Sequence, residues 1–235
     1  MKFIPILLST EMVEAEQAGR KTKTRRTKGL EQINTMPDQW KFLGLYHRDL
    51  SLKKLRVYCA QFKEKAGFIH NIPCPYGQPG DILWVRETFA PTVNIIPSGY
   101  WYKAKADEMA RQMITWKPAI HMPKIACRTF LQIIDINVER LHEITEADAI
   151  AEGVQENICE NPLECISSLC KNGCIGKGEY FNYPVGMAEG DPCNSAVESF
   201  ETLWVYINGT ESWNENPWVW VISFKRIDKP NNFLS

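Results

Sequence analysis

Lys21 and Thr24 stand three residues apart in the run Gly19-Arg20-Lys21-Thr22-Lys23-Thr24-Arg25-Arg26-Thr27-Lys28. A threonine hydroxyl becomes a nucleophile when a neighbour takes its proton. A lysine can take it only if its amine is driven toward the neutral form, which burial and nearby cations both do. Arg20, Lys23, Arg25 and Arg26 supply the cations. In a turn or at a helix end, residues three apart share a face, whereas in an extended strand they point oppositely. The run therefore reads either as a reactive site or as a solvated basic loop whose threonines hold turns. Six of the nine residues from 20 to 28 are cationic and none is acidic, which makes this the densest cationic patch of the chain. Arg20, Lys23 and Arg26 are its candidates for contacts to phosphate on a nucleotide or a single strand.

Other residues carry weaker chemistry. Glu87 follows the apolar run Ile82–Arg86 and is either a functional acid at the rim of a sheet or an ion-pair partner of Arg86 or Arg26. His121 lies between Pro118 and Pro123, a rigid setting for an imidazole over a cleft. Trp84, Trp101, Tyr102 and Trp116 are candidates for stacking on a base. Five of the eight cysteines, Cys159, Cys165, Cys170, Cys174 and Cys193, fall within one short stretch. Four thiolates could close a structural zinc site there, but no Cys-x-x-Cys knuckle is present, and free thiols explain the count as well. Cys59, Cys74 and Cys127 read as small buried hydrophobes. Gly173, Gly176 and Gly178 lack the strand–loop–helix context of a phosphate cradle, and no His-x-Glu accompanies a Cys-x-x-Cys, so zinc-deaminase chemistry has no support. No organic cofactor is implied.

Composition sets the frame for these residues. A chain of 235 residues, 44% hydrophobic, 11% aromatic and 23% charged, is long enough for a real core and too apolar to be largely disordered. The formal net charge of −1 gives no global field for nucleic acid, so any such binding is local. The longest apolar stretches, near Phe3–Leu8 and Trp218–Ser223, are far short of the ~20 residues of a spanning helix. No secretory leader is recognisable. The expectation is a cytoplasmic protein with no membrane partner.

The elements that would position the site follow from pattern. Phe3–Leu8 reads as a buried strand, and Thr10 as the cap of a helix running to Ala18. Pro73–Asp81 is a turn, Ile82–Arg86 a strand and Tyr100–Tyr102 another. Arg128–Val138 alternates around Phe130, Gln132, Ile134 and Ile136 as a long strand. Thr145 caps a short acidic-first-turn helix that Gly153 stops. Ser195–Ile207 is an amphipathic helix, and Trp218–Ile227 the last strand. The expected class is α+β, a small antiparallel β-barrel with flanking short helices in a single domain over 1–235. Two insertions, about 29–79 and a Cys-rich one at about 155–194, would decorate it.

The segment Gly19–Arg26 fits Gly-x-Lys-x-x-Thr-x-Arg, and in this position it resembles the signature of the ASCH domain family. The stretches Gly80–Thr88, Lys117–Pro123, Ile144–Gly153 and Asn216–Trp220 resemble the larger ASCH proteins often encoded by phages and prophages, in the same order along nearly the whole chain. The resemblance implies a PUA-like barrel with a cleft for a nucleotide or modified base. It also implies an activity, because one small bacterial branch hydrolyses the amide of 4-acetylcytidine. Its functional lysine and threonine correspond to Lys21 and Thr24, and its glutamate, in the short helix after the long strand, to Glu152. In that role Glu152 would orient Lys21 or shuttle a proton to the leaving amine. Other members are assigned RNA binding or ribonuclease action, and this chain is more than twice the length of the amidohydrolase branch. The ligand expected is a modified nucleoside, a nucleotide or single-stranded RNA, met by an amidohydrolase, by a non-catalytic reader or by a metal-independent ribonuclease.

Overall fold

Alternating apolar residues give the chain its strands, and five of these make the central sheet. A computed structural model describes residues 1–50, 55–92, 99–158, 179–182 and 195–234. The central strands are β1 (Phe3–Leu7), β2 (Lys23–Arg26), β6 (Ile82–Arg86), β9 (Phe130–Arg140) and β12 (Trp218–Ile227), in the order β1-β6-β9-β12-β2. β1 runs parallel to β6, and the other pairs are antiparallel. Before the second sheet comes the short helix α2 (Glu31–Asn34). That sheet holds β3 (Trp40–Leu50), β4 (Leu55–Glu64) and β5 (Ile69–Pro73), and β7 (Phe89–Pro91) pairs with β8 (Tyr100–Tyr102). Helices α1 (Thr10–Gln17), α3 (Glu108–Met113), α4 (Glu146–Ala151), α5 (Ala196–Asn208) and α6 (Thr210–Asn214) and a small hairpin, β10 (Gln155–Ile158) with β11 (Glu179–Asn182), complete the described strands and α-helices.

The α+β class stands, but the expected antiparallel barrel does not form. β1 and β2 are the two edges of the sheet and no ladder joins them. β2 is only four residues long. Its outward carbonyls are taken by cationic side chains instead of a strand: Lys21 Nζ donates to Lys23 O at 2.9 Å, and Arg26 Nη1 to Arg25 O at 3.5 Å. Across the gap Arg26 Nη2 donates to Leu7 O at 2.9 Å, so one guanidinium spans the seam that a barrel would close with a ladder.

The main core lies against this sheet and gathers Ile6, Val13, Leu83, Leu131, Ile136, Trp220 and Ile222 with Phe200 and Leu203 of α5. Leu30, Ile33, Ala60 and Phe62 belong to the same core, and Phe62 meets Trp218 edge-on at 5.2 Å. Residues of the segment 29–79 thus reach the interior. A second cluster forms on Ile82, Phe89, Met122 and Phe130, plugged by the fully buried Phe233 near the C-terminus.

Two local expectations need correction. Ser9, not Thr10, caps α1, its hydroxyl accepting from Met12 N at 3.3 Å. In β9 the register against β12 slips between Ser223 and Phe224, which leaves Ile134 as an extra residue. This bulge reverses the alternation, so Leu131, Ile133, Ile136 and Val138 are buried while Ile134 is 55% exposed. Among the described residues no helix is long and apolar enough to cross a membrane.

α1 also buries an acid. Glu16 sits in the last turn, where the helix dipole disfavours negative charge, with one carboxylate oxygen lacking any hydrogen bond. Burial raises its carboxyl above the ordinary 4.5. Arg226, 3.7 Å away, and Arg128 oppose the rise, and the charge of Glu87 adds to it. A raised folded value means that the native state holds this proton more tightly than the unfolded chain. The associated stability is present below pH 4.5 and is lost as pH rises through the folded value. Urea unfolding of Glu16→Gln against the parent protein, from pH 4 to 8, should show the parent losing stability relative to the variant over that window. A constant difference across it would refute the assignment.

Candidate functional site

β2 alternates, so Lys23 and Arg25 point to one side and Thr24 and Arg26 to the other. The side bearing Arg25 faces α4 and α5. There Lys21, just before the strand, has its amine fully buried and within reach of three acceptors: Glu152 Oε2 at 2.6 Å, Glu152 O at 2.8 Å and Lys23 O at 2.9 Å. Glu152 closes α4, whose N-cap is Thr145 as expected. Its second oxygen lies 3.3 Å from Arg25 Nη1. Arg25, also fully buried, donates through Nε and Nη2 to Glu139 Oε1 at 3.1 and 2.6 Å and meets Asp148 Oδ2 at 3.2 Å. Lys23 Nζ meets Asp148 Oδ1 at 2.5 Å. Three cations, Lys21, Lys23 and Arg25, thus stand against three carboxylates, Glu139, Asp148 and Glu152, and the network is neutral.

Burial pushes the Lys21 amine below its ordinary range. The Glu152 carboxylate and its hydrogen bond work upward, and the charges of Arg26 and Arg25 add to the downward push. For Asp148, burial works upward, but the Lys23 hydrogen bond and the charges of Arg25 and Lys23 outweigh it, and the carboxyl lies below its ordinary value.

Beside the network is a small cleft of about 60 Å³ along the edge strand. Arg25, Arg26, Thr27 and Glu152 give it a polar floor, and Met12, Phe200, Leu203, Trp204 and Ile207 an apolar wall, with Asn208 also lining it. A buried water needs roughly 10–15 Å³ on this measure. The space between its walls is therefore enough for a small group only, and a whole nucleoside does not fit within it.

The residues singled out from sequence separate into groups. Lys21, Lys23 and Glu152 come together, and Arg26 lines the adjoining cleft. Thr24 is fully buried beside Ile222, and its hydroxyl makes no hydrogen bond, so it stands outside the Lys21 network. Arg20 and Arg26 form no ion pair among the described residues, and Arg20 Nε is buried without a partner. Glu87 belongs elsewhere. It is buried, and neither Arg86 nor Arg26 pairs with it. Arg128 does, through a two-point contact at 2.8 and 2.7 Å. His121 is exposed at the end of a 3-10 turn, Ala119–His121, away from the Lys21 pair but next to Met122, whose sulfur accepts from Glu87 N.

The stacking candidates are occupied or remote. Arg128 covers Tyr102 at 4.1 Å, and Arg86 covers Trp84 at 5.6 Å. The aromatics at the cleft are Phe200 and Trp204 of α5, a helix that the sequence marked only as amphipathic. Asp148 was also overlooked, although it is four residues from Glu152 on a helix and so shares its face. Glu139 carried no sequence signal.

Among the described residues no cysteine lines the cleft. Burial raises Cys74 to about 12 and Cys127 to about 11, so neither is poised as a thiolate. The five cysteines of the proposed zinc cluster lie outside the described residues. Among the described residues no group of three or more His, Cys, Asp and Glu is placed to hold a metal ion. Comparison with protein-family models, with curated proteins and with solved structures gives no match to this chain, so the site is read from its own geometry.

Removing one member of a buried pair strands the other. Glu152→Gln leaves Lys21 without the one carboxylate it contacts among the described residues, and should cost about 3–5 kcal/mol. Lys21→Met should cost less, because Arg25 still faces Glu152. The double variant should be more stable than the sum of the two losses implies. Urea denaturation of the four proteins checks this, and simple additivity would mean that the pair is not coupled.

Proposed function

We propose that the chain is an ASCH-family protein, its central sheet a PUA-like sheet left open between β1 and β2, that hydrolyses the amide of an acylated nucleobase such as 4-acetylcytidine. The observation that carries the reading is the 2.6 Å contact of Lys21 Nζ with Glu152 Oε2, buried beside a cleft. It joins the lysine of the basic motif to the glutamate of the short helix, 131 residues away, as the resemblance leads one to expect. Glu152 lines the cleft, and Lys21 stands behind it.

In the active form Glu152 is a carboxylate and Lys21 a neutral amine, the form that burial and the charges of Arg25 and Arg26 favour. A water attacks the amide carbonyl, and its proton passes through Glu152 to Lys21. The negative charge on the carbonyl oxygen is met by Arg26, which has no carboxylate partner among the described residues. The C–N bond then breaks as the proton returns through Glu152 to the exocyclic nitrogen. The products are a carboxylic acid and the free amine of the base. In this scheme the nucleophile is water, and Thr24 is not required to be one.

Incubation with N4-acetylated cytidine, followed by mass spectrometry, tests the reading. Per folded molecule, Lys21→Met and Glu152→Gln should each lower the rate about 100-fold or more, while Thr24→Val should retain most of it. The rate of the parent protein should rise with pH through a value below 10.5, because the amine must be unprotonated to receive the proton. Equal rates in the parent and in Lys21→Met would end the proposal.

A second reading, a non-catalytic module that binds RNA or a modified base, draws on a different observation. The Lys21 amine has an acceptor for each of its three protons, as a resting ammonium would. Of the six cations in the run, three are neutralised internally. Arg20 and Arg26 remain, with Lys28, which lies in the field of Glu31. Two or three phosphate contacts on a single strand give a log–log salt slope of about −1.4 to −2. A slope near −4, six contacts' worth, would mean that the internal pairs open on binding. Affinity independent of salt would remove phosphate from the ligand.

A further inference from the structure

The cleft has a fixed size and a divided lining, and these bear on which part of a substrate enters it. This inference rests on the amidohydrolase reading of the same site. The floor of Glu152, Arg25 and Arg26 is where an amide must lie to be attacked. The space beyond, walled by Met12, Phe200, Leu203, Trp204 and Ile207, has no charged side chain. A group reaching from the floor into that space meets a mostly apolar wall, and the small volume between the walls favours a short one. An acetamide unit fills it. The sugar and the ring of a nucleoside have to remain outside.

We propose that the α5 face of this cleft is an acyl pocket, which restricts the site to amides of acids with two or three carbons and excludes bulky or aromatic acyl groups. Ile207 is the specificity-determining residue most open to test. It lines the cleft and is also 48% exposed on the last turn of α5. Its replacement does not excavate the core, as replacement of the buried Leu203 or Phe200 would. Trp204 is held in place by its indole nitrogen, which donates to Ser212 Oγ at 3.2 Å, so that wall is anchored to α6 and does not swing away from a larger group.

The test pairs turnover with binding, so that failure of this inference can be told from failure of the reading beneath it. Cytidines carrying N4-acetyl, N4-butanoyl and N4-benzoyl groups are compared in the parent protein, Ile207→Ala and Ile207→Trp. Acetamide and benzamide binding is followed in parallel by ligand-observed NMR, with circular dichroism to verify that each variant is folded. In the parent protein kcat/KM should fall at least about tenfold from acetyl to butanoyl, the usual effect of one or two methylenes in a rigid apolar pocket, and further for benzoyl. Ile207→Ala should narrow those ratios, and Ile207→Trp should lose the acetyl substrate too. Acetamide should bind at millimolar strength, as fits so few atoms, more tightly than benzamide, and should be lost in Ile207→Trp. If no cytidine is deacylated but acetamide binds in this pattern, the pocket stands and the amidohydrolase reading falls. Benzoyl turned over as fast as acetyl, or benzamide bound as well as acetamide, overturns the acyl pocket whatever the activity. So does an absence of acetamide binding, or acetamide bound equally by Ile207→Trp.

Discussion

Everything around the candidate site depends on burying Lys21 and Arg25 without leaving a charge unpaired. Taking an ion out of water costs several kcal/mol even after relaxation, and two cations are fully buried here within one short stretch. The cost is offset only because three carboxylates arrive from elsewhere: Glu139 from β9, and Asp148 and Glu152 from α4. These contacts fasten α4 to the far edge of the sheet. They also fix the orientation of Glu152, whose two oxygens are divided between Lys21 and Arg25. A glutamate held from both sides has little rotamer freedom left to lose, which is the condition for precise proton transfer.

The same contacts explain why the sheet stays open. An edge strand offers a row of unpaired carbonyl and amide groups that invite another strand. In β2 the outward carbonyls of Lys23 and Arg25 already accept from Lys21 and Arg26, so a ladder to β1 would have to displace them. The single hydrogen bond from Arg26 to Leu7 O holds the two edges near one another without zipping them. The cleft lies along that unzipped edge, with Met12 just beyond β1 on one side and α5 on the other.

How much of this was legible in the sequence depended on how local each cause is. The limits of β12 and the cap at Thr145 were readable, because apolar alternation and a hydroxyl before a helix act within a few residues. Lys21 and Glu152 were readable as partners only through the motif resemblance, since nothing local joins positions so far apart. The β9 bulge was not readable: inserting one residue changes no composition, yet it turned Ile134 outward. Arg128 as the partner of Glu87 was missed because Arg86 is its neighbour in sequence, while the β6–β9 pairing decides nearness in space. The strands of the second sheet were not read within the segment 29–79, because their polarity is mixed and gives no clean alternation.

Strand parity changes what the basic run means. Read as composition, it is a cationic patch of six. In an extended conformation with period two, Lys23 and Arg25 fall on one side with Lys21 leading into them, and all three are neutralised by acids. Arg26 falls on the other side, is without a carboxylate partner among the described residues, and also lines the cleft. A basic motif of this kind divides its work. One half of the cations balances the buried acids that shape the site, and the other three, Arg20, Arg26 and Lys28, stand outside that network. The number of charges in such a run therefore overstates its capacity for anions. The better guide is the number that survive pairing once the strand's faces are known.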